Sequence, residues 1–198
     1  MAIANIVSAF GLAGAAGLNA YIPLLIVAVL SKLGVIQLGE QFSVLSSWPA
    51  IGALVVLLVI EIVVDKVPGA DHVNDAVQTF VRPAAGAVLF AANTGVIAGM
   101  DQTVALVAGL ILALSVHATK AAARPVVNGA TMGIGAPFIS TAEDILSAIT
   151  SVIAVFAWPL VVVLAIAFGW VVYKIISRVR RTRENLSDDG SSATIIVQ

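Results

Sequence analysis

His117-Ala-Thr-Lys120-Ala-Ala-Ala-Arg124-Pro125 closes an apolar run that begins at Thr103, and a Gly-rich segment, 126–140, follows it. Charges at the end of such a run must lie at a membrane surface, face protein or line a watery path, because exposing them to hydrocarbon is costly. Val81-Arg82-Pro83-Ala-Ala-Gly86-Ala87 echoes Ala123-Arg124-Pro125-Val-Val-Asn128-Gly129-Ala130 with one residue inserted. The two Arg-Pro junctions have two readings. Either the arginines bind an anion, or they mark the cytoplasmic ends of helices.

Working outward, 60% of the 198 residues are hydrophobic, 11% are charged, and the mean hydropathy is +1.08. A soluble domain is roughly half apolar and a quarter charged. The composition therefore predicts an all-α, polytopic helical membrane protein, and the apolar runs are too long and continuous for barrel strands. A net charge of −1 leaves no basic face for nucleic acid. The absence of cysteine rules out disulfides and thiol chemistry. No basic residue precedes the first apolar run, so it reads as a retained helix rather than a cleaved signal peptide. Residues 1–183 form one transmembrane domain, and 184–198 read as a flexible cytoplasmic tail.

The first segment, 3–33, places Ala9, Ala13 and Gly17 on one small-residue face. Pro23 cannot donate to the Asn19 carbonyl, so the helix should break beside Asn19 and Tyr21, as helices do at transporter binding sites. Ser47-Trp48-Pro49 opens a second segment, 48–64, whose exit carries Glu61, Asp65 and Lys66. Glu61 and Asp65 share a helix face, where two carboxylates repel, which makes them candidates for proton coupling. A short amphipathic helix over 71–81 is expected to lie in the interface. A third segment, 82–100, buries Asn93, and Asp101 caps a fourth, 103–123, which presents His117, Lys120 and Arg124 on one face. Ser140-Thr-Ala-Glu143 has the pattern of a capping box opening the last long segment. His72 with Asp71 and Asp75 reads as solvated polar residues, so no metal site or other cofactor is assigned.

The positive-inside rule places Lys66, Arg82, Lys120, Arg124 and the arginines after Lys174 in the cytoplasm, together with both termini. Two topologies fit: five transmembrane segments with a re-entrant Gly-rich segment, or six with that segment as a broken fifth helix. Six is favoured, because it divides three plus three as an inverted-topology repeat does.

Within that frame, the leading expectation is a transporter or permease for a small anionic solute or a phosphorylated lipid. Arg82, Arg124, Lys120, Asn19, Tyr21, Asn128 and Asn93 would bind the substrate, and Glu61, Asp65 or His117 would carry a coupling proton. A structural or assembly protein, with glycine faces for packing alone, is the alternative. A membrane enzyme acting on lipid phosphate is the weaker third reading, since no catalytic constellation is present. Membrane lipids and further copies of the chain are the expected partners.

Gly17-Leu-Asn19-Ala-Tyr21-Ile-Pro23, Glu61 through Asp65-Lys66-Val-Pro68 to Asp71, Arg82-Pro83, and Arg124-Pro125-Val-Val-Asn128-Gly129 together resemble a bacterial integral membrane family, domain of unknown function 4126. The resemblance covers about Asn5 to Ile176 and leaves out the tail. It implies the cytoplasmic (inner) membrane of a prokaryote. It implies no activity and carries no catalytic residue with it.

Overall fold

α1 (Ala2–Leu18) is the helix the others pack around in the computed structural model. The structure describes residues 2–64, 70–94, 100–131, 136–167, 169–170, 173–174 and 177, without the side chains of 2, 70–75, 123–131 and 136. α2 (Tyr21–Lys32), a 3-10 helix (Glu40–Ser46), α3 (Trp48–Val64), α4 (Ala70–Thr94), α5 (Gln102–Thr131) and α6 (Ala136–Phe156) follow, then α7 (Trp158–Ala167). The chain divides into two compact units, 1–161 and 162–198. In the second, the Lys174 ammonium sits 4.1 Å over the Trp170 ring.

Small residues let the first unit close up. Ala9, Leu12, Ala13, Ala15 and Ala16 of α1 are completely buried against α4, α5 and α6. A methyl added at Gly17 would lie 2.6 Å from the Ala113 carbonyl of α5. Gly86 of α4 and Gly109 of α5 face each other so closely that a Cβ on either would strike the backbone of the other. Close backbone approach of this kind is how helices associate where lipid supplies no hydrophobic drive between them.

The helix starts follow local chemistry. Asp101 Oδ1 accepts from the amides of Thr103 (2.8 Å) and Val104 (3.1 Å) at the head of α5. Ser47 Oγ accepts from Ala50 at the head of α3.

Polarity is distributed inside out. On α4, Gln78 and Arg82 are buried, each 1% exposed, whereas Val77 and Phe80 are 51% and 79% exposed. α3 exposes Val55, Val56, Leu57, Val59, Ile60 and Val63 and buries Glu61. α5 exposes Val104, Val107, Leu110, Ile111 and Leu114 and buries His117 and Lys120. Water would impose the reverse pattern, and apolar surroundings account for it. Long apolar helices with outward hydrophobic faces are consistent with membrane association.

Two features of the expected fold are corrected. Among the described residues, only Gln102–Ala122 and Pro137–Phe156 are helices long and apolar enough to cross a membrane. A third is added if the 3-10 helix and α3, bent by 63°, count as one span, so five or six crossings are not supported. A straight crossing needs about 20 apolar residues. The 3–33 segment instead breaks into helices of 17 and 12 residues, α3 has 17, and α4 carries Asp71, His72, Asn74, Asp75, Gln78 and Arg82 along its first half. The expected short interfacial helix and third segment are thus one helix, with Pro83 inside it. The second correction concerns the Gly-rich segment. α5 continues through Arg124-Pro125 to Thr131 and α6 opens at Ala136, so its described part is regular helix, neither broken nor re-entrant. Ser140 accordingly lies inside α6 rather than capping it. The inverted repeat rested on six crossings and goes with them.

Candidate functional site

Asn19 and Ala20 interrupt the chain between α1 and α2, and the buried polar side chains of the first unit gather around that interruption. Pro23 falls in the first turn of α2, where its missing N–H has no helical partner to lose. Asn19 Oδ1 accepts from the Tyr21 amide (2.9 Å) and the Ile22 amide (3.1 Å), serving two otherwise orphaned donors of α2. Its Nδ2 donates to Asp144 Oδ1 of α6 at 2.9 Å. Carbonyls at the end of α1 are met from other helices. Lys120 Nζ donates to Leu18 O (3.2 Å), and Ser147 Oγ donates to Ala15 O (3.0 Å). A cation at the negative end of a helix is favourable on its own account. Lys120 is also ion-paired with Glu143.

The interruption is a structural element whose loss can be measured. Asn19→Ala removes the cap and the Asp144 bond together, and should lower stability by about 1–3 kcal/mol. A lowered melting temperature in detergent checks this, with Asn5→Ala as the control outside the break.

Beside the interruption lies a second, fully buried group. Arg82 Nη2 of α4 donates to Glu61 Oε1 of α3 at 3.1 Å, with both side chains at most 2% exposed. Arg82 Nη1 is 3.4 Å from His117 Nδ1 of α5, and His117 Nε2 is 3.3 Å from Thr79 Oγ1. Arginine only donates, so His117 Nδ1 must accept. The histidine is then the neutral Nε2–H tautomer, donating to Thr79. The Tyr21 hydroxyl lies close enough to the group to feel the Gln78 side chain and the charges of Glu61 and Arg82. Arg82 Nε and Gln78 Oε1 have no hydrogen-bond partner among the described residues. Buried polar atoms left in that state cost free energy and mark a place where a ligand or water completes the set.

The structure thus brings together five sequence candidates, Asn19, Tyr21, Glu61, Arg82 and His117, with Lys120 a turn beyond His117. Asn93 stands apart. Eleven residues along α4 from Arg82 correspond to roughly 16 Å, and its Nδ2 donates to the Asn5 carbonyl. Asp65 and the side chains of Arg124 and Asn128 lie outside the described residues.

The model of the family described as Domain of unknown function (DUF4126) matches residues 6–178. The chain belongs to that family. No curated protein and no solved structure matches it. The DUF4126 match spans both the interruption and every residue of the buried polar group.

Sequence reading of this DUF4126 chain missed Gln78, Glu143, Asp144 and Ser147 as members of the site. The signal was available. Ser140, Glu143, Ser147 and Ser151 recur at helical spacing and are all buried, the polar stripe of a helix that is apolar outside. Gln78 and Arg82 are likewise one turn apart on α4.

Proposed function

We propose that the chain is a membrane transport protein that carries a small anion together with a proton, with Arg82 as anion receptor and Glu61 as proton acceptor. One observation carries the reading: a buried arginine beside a helix break, shared between a carboxylate and an imidazole, with its Nε–H unused. A proton arriving on the Glu61 carboxylate removes the charge that holds Arg82. The guanidinium then presents Nε–H and an Nη–H as a fork, the geometry that matches one carboxylate or phosphate group. The Glu61/Arg82 pair sums to zero, and so does protonated Glu61 with Arg82 and a monovalent anion. A site of constant zero charge avoids the cost of carrying net charge through hydrocarbon. Broken helices at sites of this kind are a recurring device of secondary transporters. Lys120 and Asn19 hold α5 and α6 to the break and keep its carbonyls satisfied.

The test uses purified protein in liposomes that enclose a pH-sensitive dye, with inward gradients of acetate, lactate or inorganic phosphate. Acetic and lactic acids cross lipid unaided, so protein-free liposomes set the baseline. The expected result is anion-driven internal acidification above that baseline, abolished in Glu61→Gln even where anion exchange persists. A folded wild-type protein that moves no proton with any of the three anions sinks the proposal and leaves a helix-packing module.

A further inference from the structure

At the other end of α1, a cavity of about 260 Å³ opens among α1, the 35–37 loop, the end of α4 and the end of α6. Asn5, Ser8, Gln37, Asn93 and Trp158 supply its polar and aromatic lining, and among the described residues no charged side chain lines it. The charged layer is elsewhere. Leu12 and Ala16 on α1 and Ala85 and Leu89 on α4 lie between the two and belong to one packed apolar cluster.

Its polar groups are largely unused by the protein. Ser8 is nine-tenths buried, and its hydroxyl has no hydrogen-bond partner among the described residues. Asn93 spends Nδ2 on the Asn5 carbonyl, which leaves its Oδ1 as an acceptor. The Asn5 and Gln37 amides each offer both a donor and an acceptor. Trp158, 37% exposed, adds a flat apolar face and an N–H at the rim. Paired donors and acceptors with no net charge suit hydroxyl groups, which both give and take hydrogen bonds. An indole face suits the C–H side of a polyol ring. The volume equals about nine waters at roughly 30 Å³ each, enough for one hexose.

We infer that this cavity is a second ligand site that takes an uncharged, polyhydroxylated group, either a free sugar or the sugar headgroup of a glycolipid. The site stands independently of the anion reading, because it shares no residue with the Arg82 group.

The full chain with Trp48→Phe and Trp170→Phe keeps Trp158 as its one tryptophan. It is placed in phosphatidylcholine nanodiscs and titrated with glucose, with inorganic phosphate as the charged control; a parallel set of nanodiscs contains glucosyl-diacylglycerol. The expected result is a saturable change in Trp158 emission with glucose or with the glycolipid, and none with phosphate. Response to the glycolipid alone identifies a headgroup site, and response to glucose identifies a site open to free sugar. Gln37→Ala, in an exposed loop, and Ser8→Ala should each weaken the response about tenfold. No saturable change with either hydroxylated probe, an equal change with phosphate, or a response indifferent to both substitutions would overturn the inference.

Discussion

Arg82→Met should destabilise the first unit by about 3–5 kcal/mol, because it takes the guanidinium away from a buried carboxylate. Arg82 and Glu61 are 1% and 2% exposed, so water cannot take over the arginine's role without local opening. Glu61→Leu should cost a similar amount by stranding the guanidinium. The double variant Glu61→Leu/Arg82→Met should recover most of the loss, since apolar residues of similar volume replace a buried pair at little or no cost. Denaturant unfolding in mild detergent of the three variants and the parent makes a double-mutant cycle. If Arg82→Met alone unfolds at the parental midpoint, the pair is not the electrostatic tie described above. The double variant also separates stability from transport, since it should fold yet move no anion.

Gly109→Ala is the second large effect. Its new Cβ would fall on the Gly86 carbonyl and come within 2.5 Å of the Phe90 Cβ, so α4 and α5 must part to admit it. Overpacking of this kind costs about 1–3 kcal/mol. The protein carries its own control in Gly52 of α3, where a Cβ meets nothing within 4 Å. Gly52→Ala should be neutral or stabilising by roughly 0.5–1 kcal/mol, the ordinary gain of alanine over glycine in a helix. Melting temperatures that fall for Gly109→Ala and hold or rise for Gly52→Ala bear out the close α4–α5 contact. Equal shifts for both would refute it.

Local chemistry made several elements legible in the sequence. Asn19-Ala-Tyr21-Ile-Pro23 marks a break because proline removes a helix bond and asparagine serves the next helix's amides, and both effects act within five residues. Asp101 read correctly as a cap and Ser47-Trp48-Pro49 as a helix start for the same reason. The small-residue face of Ala9, Ala13 and Gly17 proved to be buried. The number of crossings was not legible, because hydropathy averages over a segment and cannot see a break at Asn19 or the polar load on α4. The two Arg-Pro pairs misled differently. Proline next to arginine looks like a helix boundary, yet Pro83 sits inside α4 and Pro125 inside α5. Neighbouring helices can re-satisfy the backbone groups that an internal proline frees.

In the site, Arg82, Glu61, His117 and Tyr21 stood out because ionisable or phenolic groups are sparse in so apolar a chain. Which carboxylate meets which cation was not readable, since Glu61 meets Arg82 across a helix interface, 21 residues further along the chain. Distances along a chain say little about partners that tertiary packing selects.

The two buried ion pairs seen among the described residues share a property with a consequence for folding. Glu61 and Arg82 join α3 to α4, and Lys120 and Glu143 join α5 to α6, so each pair links helices that are consecutive in the chain. A lone α4 entering lipid would expose a guanidinium, and a lone α3 a carboxylate. Packed together, α3 and α4 present zero net charge at the Glu61/Arg82 level, and α5 with α6 does the same at Lys120/Glu143. The charge pattern therefore favours helices that close on their chain neighbours two at a time, so that neither charge of a pair is left alone in apolar surroundings.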